Sequence, residues 1–346
     1  MAKIALLGDA HMGARNSNKN VEQWQRKFYE QCFWPELEKR GIKTVIQTGD
    51  YFDNRKWINL QTLAFQKEVF CKRAADLDIS VLGIVGNHDI PLRHSLEMSS
   101  PVQLLSDETH VEFFDEIKEF EIDGRKITLM PWICRENFEE SQARIREGGD
   151  IIVGHFEISG FVMHPGAVSK EGINMSDFSG WNQVISGHYH SQSEKGNIKY
   201  IGTPYQMTWS DASTKHGFWI LDTDDSSMEF VENPFRYFHR LIWEDGCQVD
   251  YENIKSSYVK VNVKKKTDFE SFEKFVDSVN LREPFELKII ESFEEYNSEN
   301  VQDLIKVQTT TQLIEEYIND VATDLNKESI VNAMLSIYDE AMEMEE

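Results

Sequence analysis

Five short apolar runs in this 346-residue chain each stop at a glycine and then present a side chain able to bind a metal. They are IALLGD (4–9), TVIQTGD (44–50), VLGIVGN (81–87), DIIVGH (150–155) and QVISGH (183–188). Counting one more residue two places beyond the first and the last, the set is Asp9, His11, Asp50, Asn87, His155, His188 and His190. Taken singly, an aspartate after a strand is most often a helix cap, a lone histidine a hydrogen-bonded core residue, and Gly-Asp or Gly-Asn an ordinary turn. The recurrence of one grammar at five places gives the metal reading its weight. Imidazoles, carboxylates and an amide oxygen, with no thiolate, suit Mn, Fe or Zn at a hydrolytic site better than a structural zinc. Seven ligands exceed what one ion can use while keeping a position open for water. Two ions ~3.5–4 Å apart that share a carboxylate would use them all, and Asp50 is the expected bridge. In extended backbone, residues i and i+2 share a side, so His188 and His190 are expected to leave their strand aimed at one point.

The elements that must position these groups follow from the same runs. Short stretches of Val, Ile and Leu read as buried strands. Between the first three lie VEQWQRKFYEQCF (21–33) and LQTLAFQKEVFCKRAADL (60–77), long enough to be crossover helices. The implied fold is α/β, in which ligands collect beyond the carboxyl ends of the strands. Glycine at each exit lets the backbone turn sharply or approach another chain closely.

A chain of this length can bury a full core and hold one large domain with one or two small ones. Its formal net charge of -24 is unevenly spread: residues 267–346 carry 21 Asp/Glu against 5 Lys/Arg, so most of the acidity sits in the tail. The N-terminal region therefore need not repel phosphate. Cys32, Cys71, Cys134 and Cys247 are widely spaced, without a CxxC pair, and read as reduced thiols. The opening MAKIALLGDAHMG fits a first strand better than a secretory signal. No apolar run reaches the roughly 18 residues that span a membrane, so a cytoplasmic protein is expected.

In order along the chain, GDAH, TGDYFD, VGNHD, VGHFE and SGHYH resemble the five motif blocks of the calcineurin-like metallophosphoesterases. Within that superfamily, GDAHMG, GDYFDNRK, IVGNHD, MPWIC (130–134), GHFEISGF and YIGTPYQMTWSD followed by HGFW resemble SbcD-type nuclease subunits, particularly the shorter phage recombination endonuclease subunit. The resemblance covers residues 1–240, and the remainder in outline. It implies a β-sandwich flanked by helices, with a small α+β capping domain and C-terminal helices. It also implies one ion on Asp9, His11, Asp50 and His190 and a second on Asp50, Asn87, His155 and His188, with Mn as the metal and Mg as the alternative. His88 would touch the scissile phosphate or the leaving group, and Asp89 would orient it. Cellular relatives often carry a second catalytic histidine three residues after the bridging aspartate. This chain has Asp53 there, which leaves the role of that position open.

Basic and polar clusters follow directly on the metal motifs: ARNSNKN (14–20), NRKW (54–57) and PLRHS (91–95). Arg15, Arg55, Lys56 and Arg93 are therefore expected to hold a DNA backbone, with Trp57, Tyr189 and Tyr205 as stacking residues. Past residue 240, SSYVKVNVKKK, DFESFEKFVDSVN and PFELKIIESF read as strand, helix and strand. The expected domains are a nuclease domain over 1–240, a capping domain over 241–292, a linker over 293–309 and C-terminal helices over 310–346. Leu313, Ile314, Tyr317, Ile318 and Val321 form one amphipathic stripe, and Ile330, Val331, Met334, Leu335, Ile337, Tyr338 and Met342 another. The resemblance gives these helices an SbcC-type SMC-like ATPase as partner; folding back on their own domain is the alternative. The implied function is a Mn-dependent DNA exonuclease and endonuclease in recombination, repair or replication, forming a homodimer, and working in the host cytoplasm if phage-encoded. The alternatives are a protein phosphatase or small-molecule phosphodiesterase of the same superfamily, and a noncatalytic DNA-end scaffold.

Overall fold

The strand Lys3–Leu7 is buried on both faces: Ile4 and Leu6 join one apolar cluster, Ala5 and Leu7 another. Side chains alternate along a strand, so such a strand must lie between two layers. The computed structural model describes residues 3–92, 94–164, 167–169, 172–246, 249–250 and 253–291, and the single positions 318, 327, 330, 331 and 334. The chain divides into two units, Met1–Ile290 and Glu291–Glu346.

The first unit is built on two six-stranded sheets. One has the order Met228–Glu232, Gly217–Asp222, Lys3–Leu7, Thr44–Gln47, Ser80–Ile84, Val111–Phe114, and its last four strands are parallel. The other has the order Ser193–Lys195, Ile198–Tyr200, Trp181–Ser186, Gly149–Gly154, Arg125–Met130, Lys118–Ile122, with the middle four parallel. Ile4, Leu6, Ile46 and Ile84 of the first pack against Ile127, Leu129, Ile151, Val153 and Ile185 of the second. Full burial of each such side chain contributes about 1.5–3 kcal/mol. The five motif-bearing strands thus belong to two facing sheets, three in one and two in the other.

Helices cover both outer faces, as the α/β sandwich requires. On the first sheet lie Lys19–Phe28, Trp34–Arg40, Leu60–Gln66 and Lys72–Asp76, which bring Phe28, Trp34, Phe65 and Ala74 onto Ala5, Leu7 and Val45. Asn18 and Asn59 cap two of them by accepting the N–H groups of Asn20 and Gln61. Where the sequence periodicity predicts regular helices, each crossover passes through a wider π turn, Tyr29–Phe33 and Lys67–Cys71. Those turns rotate Phe33 and Phe70 onto Trp34, with ring centroids 4.8 and 5.3 Å away. The second sheet is covered by Phe138–Glu147, whose Ile145 packs with Ile152, Trp181 and Val184.

A third sheet, ordered Phe238–Trp243, Tyr258–Val263, Glu286–Glu291, carries the helix Phe269–Asn280. The strand, helix and strand read from the sequence beyond residue 256 are present. The first strand is an addition, parallel to Tyr258–Val263 and running across position 240. Tyr237, Phe238 and Tyr258 enter the main core, which makes this sheet part of the first unit. In the second unit, positions 318, 327, 330, 331 and 334 are helical, with Ile318 buried and Met334 exposed. The linker expected over 293–309 and the rest of the two stripes lie outside the described residues. Cys32, Cys71 and Cys134 are free thiols; Cys247 lies outside the described residues. Among the described residues no helix is long and apolar enough to cross a membrane.

Candidate metal centre

Five of the parallel strands, from both sheets, end near one place, and each of these exits delivers a candidate ligand there. Asp9, His11, Asp50, Asn87 and His155 are buried, and His188 and His190 half-buried. Their atoms form two clusters. Asp9, His11 and His190 offer one ligand atom each within 4.8 Å of one another, as do Asp50, His155 and His188. Asn87 completes the second: its Oδ1 lies 2.9 Å from His155 Nε2 and 3.0 Å from His188 Nδ1. Asp50 Oδ2 faces both clusters, 3.3 Å from His155 Nε2 and 3.9 Å from His11 Nε2.

Backbone geometry sets these positions. His11, Asp50 and His188 adopt left-handed φ values of 42°, 51° and 84°, a costly choice for non-glycine residues that concentrates at functional sites. For His188 it has a direct consequence. The strand ends at Ser186, the chain turns, and His188 joins Asp50 and His155 while His190 joins Asp9 and His11. The pair that an extended chain would aim at one point is split between two. Gly49, at φ 99°, and Gly187 leave room at the centre: a Cβ would stand 2.5 Å from His155 Nδ1 in one case and 2.5 Å from Asp9 Oδ1 in the other. The His188 N–H donates to both oxygens of Asp9, at 3.1 and 3.0 Å, locking the two sheets' exits together.

These residues fit a pair of divalent ions. Ligand atoms ~2.0–2.2 Å from a common ion and at right angles to each other stand about 3 Å apart, the spacing found around Asn87 Oδ1. His11 Nε2 is buried with no hydrogen-bond partner among the described residues. The Thr48 carbonyl accepts from His155 Nδ1–H at 2.8 Å, which fixes the tautomer and turns the Nε2 lone pair inward. Burial alone would lower His11 and His155. Asp53, Asp50 and Asp9 around the first, and Asp50 and Asp9 around the second, overcome it and raise each to about 9. Burial pushes Asp9 up to about 6, against the pull of His155. Burial also opposes ionisation of Asp50, but His155, His88 and His11 hold it well below its ordinary value. Burial and His11 push His190 down to about 4.

His88 is half-buried beside this centre, its ring 4.9 Å from that of His11. Its N–H donates to Asp50 Oδ1 at 2.7 Å, and its Nδ1–H to the Asp53 carbonyl at 2.8 Å, leaving Nε2 unbound by that contact. Asp89, which the resemblance implies would orient His88, has its hydrogen bonds to the backbone of neighbouring loops. Wholly buried, its carboxylate accepts the N–H groups of Tyr51 at 3.2 Å, Phe52 at 2.9 Å and Gly86 at 2.9 Å, tying the second and third exits together. Asp53, whose role the sequence left open, contacts both histidines. Its carboxylate stands 3.1 Å from His11 Nδ1 while its carbonyl holds His88.

The residues expected to meet DNA fare differently. Arg55 lies close enough to disfavour the charged form of His88, Lys56 is exposed, and Trp57 is 51% exposed. Arg15 is half-buried, its guanidinium over the rings of Phe238 and Tyr258 at 5.5 and 5.3 Å, so it pins the first loop to the third sheet. Arg93 lies outside the described residues. Tyr189 and Tyr205 are buried and serve the core instead: Tyr189 stacks on Tyr200 at 4.6 Å, and Tyr205 takes the amide of Gln25 at 3.0 Å. Trp132 was not singled out by the sequence reading. Its ring lies 5.3 Å from that of His188.

Residues 2–192 match the family described as Calcineurin-like phosphoesterase. The chain is 33% identical over 347 residues to Exonuclease subunit 1 of Enterobacteria phage T4, covering 98% of this chain and 99% of that protein. It is 24% identical over 297 residues to a Nuclease SbcCD subunit of Staphylococcus epidermidis, covering 76% of each. A solved archaeal phosphodiesterase aligns with 67% of this chain and 99% of its own, at 13% identity and a TM-score of 0.33.

Proposed function

The chain belongs to the calcineurin-like phosphoesterase family, and we propose that it is a metal-dependent DNA nuclease, the catalytic subunit of an SbcCD-type assembly. The observation that carries this reading is the placement of Asp50 Oδ2 between two donor clusters that together contain all seven expected ligands. The nuclease names of both relatives favour DNA over a phosphoprotein or a small diester. Asp9, His11, Asp50 and His190 would hold one ion, and Asp50, Asn87, His155 and His188 the other, with Mn as the working metal. When bound, such a pair clamps the non-bridging oxygens of a phosphodiester and makes a water nucleophilic near neutral pH.

The chain's own groups supply the rest. A water oxygen would add to phosphorus while its proton passes to solvent, the bond to the sugar oxygen would break, and that oxygen would take up a proton. His88 Nε2 is the donor in this proposal, since Nδ1 is committed to the Asp53 carbonyl. Burial lowers the His88 pKa despite the pull of Asp50, and an arriving phosphate anion would favour the imidazolium form that donates. Asp53 orients both His11 and His88, and Asp89 keeps the loops that carry Asp50 and Asn87 in register. The assembly's partner would be an SbcC-type SMC-like ATPase bound through the C-terminal helices expected over 310–346, and the active form a homodimer.

The test is cleavage of end-labelled duplex DNA in Mn, Mg or chelator, comparing the native chain with His88→Ala. Cleavage in Mn, abolished by chelator and reduced on the order of 10²- to 10⁴-fold in His88→Ala with metal content retained, is expected. Cleavage that survives chelation, or hydrolysis confined to phosphoproteins or small diesters, would overturn the reading.

A further inference from the structure

A cleft of about 420 Å³ lies beside the second donor cluster, lined by Trp132 and by the segment His155, Phe156 and Glu157; His155 itself is fully buried. Trp132 connects the two, its ring 5.3 Å from that of His188 and 6.0 Å from that of His155. The helix Phe138–Glu147 contributes Phe138, Gln142 and Arg146 to the lining. Spaced four residues apart, they occupy one face of the helix, so the cleft meets an aromatic ring, an amide and a guanidinium in a row. Phe138 is 53% exposed, although the same helix has a buried face at Ile145. Gln142 is buried, yet its amide makes no hydrogen bond among the described residues. Arg146 likewise has no ion-pair partner among them.

We infer that this cleft receives the base of the nucleotide whose phosphodiester is cut; the inference rests on the nuclease reading above. A nucleobase requires flat apolar walls and hydrogen-bonding groups at its edge, and its own phosphate requires a cation nearby. Trp132 and Phe138 supply the walls, Gln142 both a donor and an acceptor, and Arg146 the cation. Asp177, also in the lining, would repel a sugar-phosphate chain but accept from the exocyclic amino groups of bases. The cleft therefore suits a base and disfavours backbone. A base held there has left the duplex stack, and the cost of that is lowest at a frayed or unpaired end. The site thereby directs cleavage to terminal nucleotides that can be splayed from their partners.

Duplexes ending in an intact or a base-free (tetrahydrofuran) nucleotide distinguish the possibilities. Terminal cleavage in Mn is measured for the full chain and for Phe138→Ala and Phe138→Trp, with metal content determined for each. The native chain is expected to favour the base-bearing end by about tenfold or more in kcat/KM, the range of a base–aromatic stack. Phe138→Ala should bring that ratio toward one, and Phe138→Trp should keep it. Equal rates at both ends in the native chain, or a ratio that Phe138→Ala does not move, would overturn the cleft assignment. Absence of metal-dependent cleavage at either end would instead overturn the nuclease reading, and this inference with it.

Discussion

Asp53 Oδ1 stands 3.1 Å from His11 Nδ1, so a carboxylate backs an imidazole whose other nitrogen, Nε2, faces Asp50. Outer partners of this kind fix the tautomer of a ligating histidine and raise its basicity, and their loss typically costs about 10- to 100-fold in metal affinity. Asp53→Asn is therefore expected to weaken binding at the Asp9, His11 and His190 cluster by about that factor and leave the unfolding midpoint little changed. Mn titration followed by calorimetry, with a urea melt as control, measures both. Unaltered affinity would remove Asp53 from the centre.

The pH dependence of metal binding follows from the two raised histidines. With folded values of about 9, His11 and His155 carry protons at pH 7 that a metal must displace, so affinity rises with pH up to about 9. The rise approaches tenfold per pH unit for each proton displaced. In the metal-free protein the sign is opposite for stability. A histidine whose pKa is raised above its ordinary value stabilises the fold fully below that value, and the contribution is lost as pH rises through the folded pKa. Calorimetry at pH 7 in two buffers of different ionisation heat should show close to two protons released. Metal uptake without proton release would contradict the assignment.

Gly187→Ala tests the close approach of the two sheets' exits. The added Cβ would stand 2.5 Å from Asp9 Oδ1 and 2.6 Å from Thr48 Oγ1, and neither neighbour can retreat without leaving the centre. Overpacking of this kind costs about 1–3 kcal/mol. A lower denaturation midpoint together with reduced metal content is expected. A variant with native stability and full metal content would show that the exits are looser than described.

Asp89→Ala would leave the Tyr51, Phe52 and Gly86 amides without their buried acceptor. Each unsatisfied buried donor costs about 1–3 kcal/mol, so the destabilisation should be on the order of 3 kcal/mol or more, read as a shift in urea midpoint at unchanged slope. A loss confined to activity, at native stability, would instead assign Asp89 to His88.

The convergence of the seven candidate ligands was legible because they cluster at strand ends marked by a glycine, and strand ends in layered α/β folds converge by construction. The polar groups behind them were harder to read. Thr48 meets His155, and Asp53 meets His88, through backbone carbonyls, which carry no mark in the sequence, and Asp89 binds amides of two loops that lie far apart in the chain. His188 and His190 part company because of one left-handed φ, which periodicity does not report. The stripe of Phe138, Gln142 and Arg146 looks like an ordinary solvated helix face until the cleft beside it is seen. Tyr189 and Tyr205 show the converse: aromatics next to a motif can be core.

The central claim, two ions sharing Asp50 and hydrolysing DNA, is most directly tested by counting Mn bound per chain while following cleavage of a labelled duplex in the same titration. The account predicts two ions per native chain, with cleavage appearing as the second binds, and loss of both in Asp50→Ala. A single ion at saturation, or full cleavage by the metal-stripped chain, would contradict it.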